Sequence, residues 1–154
     1  MADEPQQASF QVEKIYVKDL SLEIPNSPQV FLEQMQPQLE VQIGTGANNF
    51  AEALYEVTVT ATVTAKAGER TIFLAEAVQA GIFTLRGVPA QEIEPLLAIG
   101  CPSIVFPYLR ETISDLVARG GFPQVLLAPV SFEALYAQRT HQQAPPGSQI
   151  EIAR

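Results

Sequence analysis

Cys101 and His141 are the single cysteine and the single histidine of the 154-residue chain. The only thiol chemistry available within one chain is therefore a Cys–His pair, and neither an intrachain disulfide nor a zinc cage of Cys and His ligands can be assembled. Cys101 lies between Gly100 and Pro102 among apolar neighbours, where a small buried thiol is ordinary packing. His141 falls in a polar stretch, whereas a general base needs fixed geometry. The reading is of a protein with no catalytic residue and no cofactor. A thiol enzyme built on these two residues is the enzymatic alternative, and it would lose a hydrolytic or transfer activity on Cys101→Ser.

Carboxylates are the other groups that could do chemistry. Asp19 and Glu23 stand four apart in a run with strand character and share one face; Leu74 and Glu76, two apart, share a face of another strand. Nothing nearby in the sequence would divide such a pair into an acid and a base, so these side chains read as a contact surface. Residues 1 to 76 carry 11 acidic and 4 basic side chains, a net of −7, whereas residues 77 to 154 carry 6 and 5, a net of −1. Nucleic-acid recognition needs a basic stripe, and there is none; a basic protein partner suits this charge.

The elements that must hold these residues are strands first and helices second, the order of an α+β domain. Leu54 to Ala65 places Tyr55, Val57, Val59, Ala61 and Val63 on one face and Glu56, Thr58, Thr60, Thr62 and Thr64 on the other. Lys66 to Arg70 turns it into Thr71 to Phe83, its expected hairpin partner. Phe10 to Ile24 reads as a strand with Phe10, Val12, Tyr16, Leu20, Leu22 and Ile24 on one parity and Asp19 and Glu23 opposite. A proline-containing crossover leads to a shorter strand, Gln38 to Ile43, making a four-stranded antiparallel sheet. Pro107 suits a first helical turn; Leu109, Ile113, Leu116 and Val117 form a helical stripe to Arg119; and Gly120-Gly121 stops it. A second main helix begins at Ser131 as N-cap, with Phe132, Leu135 and Tyr136 on one face. Pro89 to Ile99 holds a short helix limited by Pro95.

Residues 1–8 read as a flexible N-terminal arm, 9–141 as one domain, and 142–154 as a disordered tail rich in Pro, Gln and Gly. No run of 18 uninterrupted apolar residues occurs and the N-terminus is acidic and polar, so neither stable membrane insertion nor secretion is expected. Two modest helices cannot cover both faces of a four-stranded sheet, so a further apolar surface should remain for an oligomer interface or a binding groove.

The phrases FPY (Phe106 to Tyr108), RGGFP (Arg119 to Pro123) and LLAPVSFEALY (Leu126 to Tyr136) resemble the bacterial SecB protein-export chaperones. So do IYVKDLSLEIPN (Ile15 to Asn26), YEVTVTATVTA (Tyr55 to Ala65) and AGIF (Ala80 to Phe83), and the likeness spans roughly residues 9 to 137 in the family's order. The resemblance implies a cytoplasmic, ATP-independent holdase, a homotetramer built as a dimer of dimers, that binds unfolded precursor proteins and passes them to the SecA motor. It places SecA contacts at Asp19, Glu23, Leu74 and Glu76, and client contacts at Met35, Leu39, Val41, Ile43, Leu135 and Tyr136. Met35 stands where family members often carry tryptophan, and a flexible thioether fills an adaptable groove. Subunit contacts would come from Pro107 to Arg119 and Thr71 to Phe83. Two alternatives stay open: a SecB-like chaperone dedicated to one antitoxin, and a β-domain carrying a small apolar ligand.

Overall fold

A computed structural model describes residues 7–34 and 36–142. Met35, residues 1–6 of the expected arm and the expected tail beyond Gln142 lie outside them. The strands β1 (Ser9–Glu23), β2 (Gln38–Ala51), β3 (Leu54–Ala67) and β4 (Arg70–Arg86) form one antiparallel sheet in the order β1-β4-β3-β2. Helical structure follows as α1 (Ala90–Pro95), a π-helical turn (Leu96–Gly100), α2 (Cys101–Arg119) and α3 (Phe132–Gln142).

The alternation in β3 fixes the layers. Val57, Val59, Ala61, Val63 and Ala65 are all 0% exposed, and they lie under α2, whose Val105, Leu109, Ile113 and Val117 join the same core. The threonine face points away from the helices. The β3–β4 hairpin turns at Gly68 with φ +63°, a backbone glycine adopts without penalty. Because β4 is flanked by β1 and β3, both its edges are paired, and only its side chains are free to contribute to a subunit contact.

Three elements depart from the sequence reading. In β1 the single parity fails, because register shifts between Val12 and Lys14 and between Val17 and Asp19 each insert an extra residue against β4. Ile15, opposite Gly81, therefore takes the helix side, while Tyr16, opposite Ala80, turns to the open face. Strand β2 does not stop at Ile43 but runs to Ala51, since β3 offers a continuous ladder and an edge strand tolerates Gly44 and Gly46. Pro107 lies inside α2 rather than in its first turn. Pro107 and Ser103, whose carbonyl loses its i+4 donor, are both on the exposed side of the helix, the side open to solvent.

The expected helix ends are present. The amides of Gly120 and Gly121 bond to Leu116, Val117 and Ala118 carbonyls, Gly121 has φ +91°, and Ser131 Oγ accepts from the Ala134 amide at 3.2 Å as an N-cap. The run Ala90–Arg119 is long and apolar enough to span a membrane, with 28% of its most apolar stretch buried. Here its inner stripe packs on the sheet.

Candidate functional site

Strands β1 and β2 occupy opposite edges of the sheet, so the chain between them must travel three strand spacings, roughly 14 Å. It does so on the helix side. Val30, in a 3-10 turn (Gln29–Leu32), is 5% exposed and anchors the crossover in the core. Asn26 Nδ2 donates to the Thr71 carbonyl at 2.8 Å, and Glu33 pairs with Arg70 at 2.6 Å, tying both ends of the segment to the start of β4.

Between this crossover and the loop that follows α2 lies a groove of about 350 Å³. Phe31, Leu39, Phe73, Phe122, Pro123 and Val125 supply its apolar walls. Phe122 lies at its centre, with ring centroids 5.3 Å from Phe31 and 4.9 Å from Phe73. Phe31 remains 49% exposed and Leu39 46%, so the groove presents apolar surface to solvent. Its size is at the lower end for a small-molecule pocket and suits large side chains of a passing chain. The loop wall is fixed by Arg110, whose Nε donates to the Leu127 carbonyl at 3.0 Å and whose guanidinium lies 5.0 Å over the Phe106 ring.

The sequence-derived client residues divide unevenly around this groove. Leu39 lines it. Val41 follows on the same side of β2, half-buried, whereas Ile43 is 2% exposed and belongs to the core. Ile43 pairs with Ala61 beneath the helices, so its side chain offers no surface to a client. Leu135 and Tyr136 are half-buried on α3, which docks farther along β2, where Arg139 donates to Thr45 Oγ1 at 3.1 Å. They do not line the aromatic groove. Phe31, Phe73 and Phe122 were missed from the sequence; the Phe122 of RGGFP was legible only as part of a helix stop.

The opposite face of the sheet carries the acids. Glu23 pairs with Leu74, Ser21 with Glu76, and Asp19 with Val78, which places Asp19, Glu23, Leu74 and Glu76 together on the open face. Thr62 donates from Oγ1 to the Glu76 carboxylate at 3.1 Å. Across the Glu23–Leu74 row, Thr64 pairs with Glu40, so Glu40 joins this face at its far edge, a residue the sequence reading did not single out. Nearer the other end, Glu56 accepts from Lys18 Nζ at 2.7 Å and from the Tyr16 hydroxyl. The hydrogen bond from Lys18, then that from Tyr16, holds the Glu56 carboxyl below its ordinary value. Burial first, and then Glu56, pushes Tyr16 up to about 12.

The thiol pair has no such geometry. Cys101 is 0% exposed and burial pushes its pKa up to about 12, so the thiolate needed for nucleophilic attack is suppressed. His141 is exposed on α3.

Comparison with known proteins gives a consistent result. The family model described as preprotein translocase subunit SecB matches residues 3–143. The protein-export protein SecB of Chromobacterium violaceum is 54% identical over 142 residues, covering 92% of this chain and 95% of that one. That of Nitrosomonas eutropha is 56% identical over 146 residues, covering 94% and 91%. Among solved structures, a Mycobacterium tuberculosis SecB-like chaperone in complex with an antitoxin peptide superposes with a TM-score of 0.65 over 79% of this chain and 90% of that one. At 15% identity that likeness shows the fold alone.

Proposed function

The chain belongs to the SecB family and is a chaperone of protein export; from that premise we propose that it works as an ATP-independent cytoplasmic holdase, gripping unfolded precursors in the aromatic groove and delivering them to SecA from its acidic open face. The carrying observation is the groove itself: Phe31 and Leu39, with half-buried Phe122 stacked on a buried Phe73, leave apolar surface exposed beside an unpaired sheet edge. Such a surface takes any large side chain, and the β2 edge offers hydrogen bonds to any backbone, which is what recognition without sequence preference requires. Binding the unfolded form only lowers, by mass action, the concentration free to aggregate.

Assembly into a homotetramer, a dimer of dimers, is part of the same proposal, and apolar surface that one subunit leaves uncovered supports it. Phe10, Val12, Val17 and Leu20 all sit on the helix side of β1, opposite Leu85, Phe83, Gln79 and Ala77, yet they remain 39%, 45%, 45% and 47% exposed. Tyr108 on α2 is 51% exposed. A symmetric partner covers this stripe and the outer helix surface, and several grooves on one assembly give a long client avidity.

The test is a titration of the purified protein, without nucleotide, against an aggregation-prone precursor in unfolded and folded forms. Submicromolar binding to the unfolded form alone is expected. No binding to either form would overturn the holdase reading, and binding to one dedicated partner only would move the function to an antitoxin-type chaperone.

A further inference from the structure

Lys18 and Asp19 occupy an unusual place on the open face. The register of β1 against β4 runs from Val17 opposite Gln79 directly to Asp19 opposite Val78. Lys18 is therefore the extra residue of a bulge, where two residues face one on the partner strand. In a regular strand consecutive side chains take opposite faces. Here Lys18 Nζ reaches Glu56 on β3, whose register opposite Ile82 puts it on the same face as Asp19. A cation thus stands beside one of the three acids assigned to partner docking, and it is turned away from that acid. Glu56 holds it at 2.7 Å, with Tyr16 as a second donor to the same carboxylate.

We infer that Glu56 is a positioning residue for partner docking: by holding Lys18, it keeps Asp19 free to meet a basic segment of the partner. The Glu56 side chain is 16% exposed whereas that of Lys18 is 50% exposed, so the carboxylate is the fixed member and the lysine the one that would swing. Of the other lysines of this face, Lys14 shares the Ile82 row with Glu56, farther along the strand from Asp19, and Lys66 stands at the hairpin end, opposite Gln38. Among the described residues, Asp19, Glu23 and Glu76 have no salt bridge. Releasing Lys18 would give Asp19 a neighbouring cation and a basic partner a competitor.

The inference rests on the proposed docking face, and a double-mutant cycle separates the two. Affinity for SecA is measured at low salt for Glu56→Gln, Lys18→Gln and the double variant, with Asp19→Asn and Glu76→Gln alongside. Glu56→Gln should weaken binding about threefold, the size expected of one exposed charge pair, and the same substitution should cost nothing in the Lys18→Gln background. Client binding on the other side of the sheet reports that each variant is folded. Should Glu56→Gln not fold, the exchanged pair Lys18→Glu with Glu56→Lys carries the test, and its affinity should be retained or raised; a loss overturns the inference. An equal cost of Glu56→Gln in both backgrounds means that Glu56 touches the partner itself, and no cost in either means that Lys18 is irrelevant; both overturn it. Unchanged binding by Asp19→Asn and Glu76→Gln would instead overturn the docking face.

Discussion

Removing the Phe31 ring should weaken the grip on a client while sparing the fold. Phe31 is 49% exposed, so roughly half of an aromatic surface of about 200 Å² is already spent on Phe122 and the neighbouring loop, leaving roughly 100 Å² for a client. At about 25 cal/mol per Å², covering that area contributes at most about 2.5 kcal/mol. Incomplete coverage by a mobile client takes this toward about 1.4 kcal/mol, so Phe31→Ala should raise the Kd on the order of 10- to 50-fold. A short unfolded peptide is the right ligand, since a long client bridges several grooves and masks the loss by avidity. Fluorescence anisotropy reads the affinity, and a denaturation curve reads the fold, which should lose no more than about 2 kcal/mol from one half-buried ring and its stack on Phe122. An unchanged peptide affinity in a folded Phe31→Ala protein would refute the assignment of the groove.

The remaining predictions concern stability. The Tyr16 pKa is raised to about 12, by burial first and by Glu56 second; between its ordinary value of about 10 and that value the folded chain keeps a proton the unfolded chain has lost. Stability is therefore full below pH 10 and falls as pH rises toward 12, and Tyr16→Phe should flatten that slope in urea midpoints. Glu56 behaves oppositely: its folded value is lowered, so its contribution is present above the ordinary glutamate range and is lost as pH falls through the lowered value. Leu109, 0% exposed beneath the sheet, should cost about 2–5 kcal/mol on substitution by Ala, read as a lower urea midpoint with an unchanged slope; a change under 1 kcal/mol would mean α2 is not part of the cooperative core.

The legible parts of this fold are those written in strict local periods. The alternation of Leu54 to Ala65 sorted core from threonine face residue by residue, and Gly120-Gly121 marked the end of α2. Asp19 and Glu23 share a face with no bulge between them, so their spacing was enough; Leu74 and Glu76 likewise. What escaped was anything decided by a neighbouring strand. The two bulges of β1 leave no mark in its composition, yet they exchange Ile15 for Tyr16 on the helix side. Gly44 to Ala51 carries too few apolar residues to announce a strand, and is one because β3 pairs with it. Pro95 and Pro107 read as helix limits, but a π-helical turn and an exposed carbonyl accommodate them. The aromatic groove draws on residues 31, 73 and 122, which only the tertiary fold unites.

On these assignments client and partner occupy opposite sides of one sheet. Phe73 belongs to the aromatic groove, and its neighbour Leu74 belongs to the acidic face; period two in β4 sends consecutive side chains to different functions. A client seated by Phe31, Leu39 and Phe122 therefore leaves Asp19, Glu23 and Glu76 uncovered, and a loaded subunit still presents its docking acids. The covalent elements common to both sites are β4, a central strand paired along both edges, and β2, which gives Leu39 to the groove and Glu40 to the far edge of the acidic face. Strand β4, held on both sides, has no second arrangement that would carry a signal from one face to the other, and energetic coupling needs an element with two states. On these assignments docking does not loosen the groove through β4. On the proposed delivery to SecA, release through competition for the client itself then needs no signal through β4.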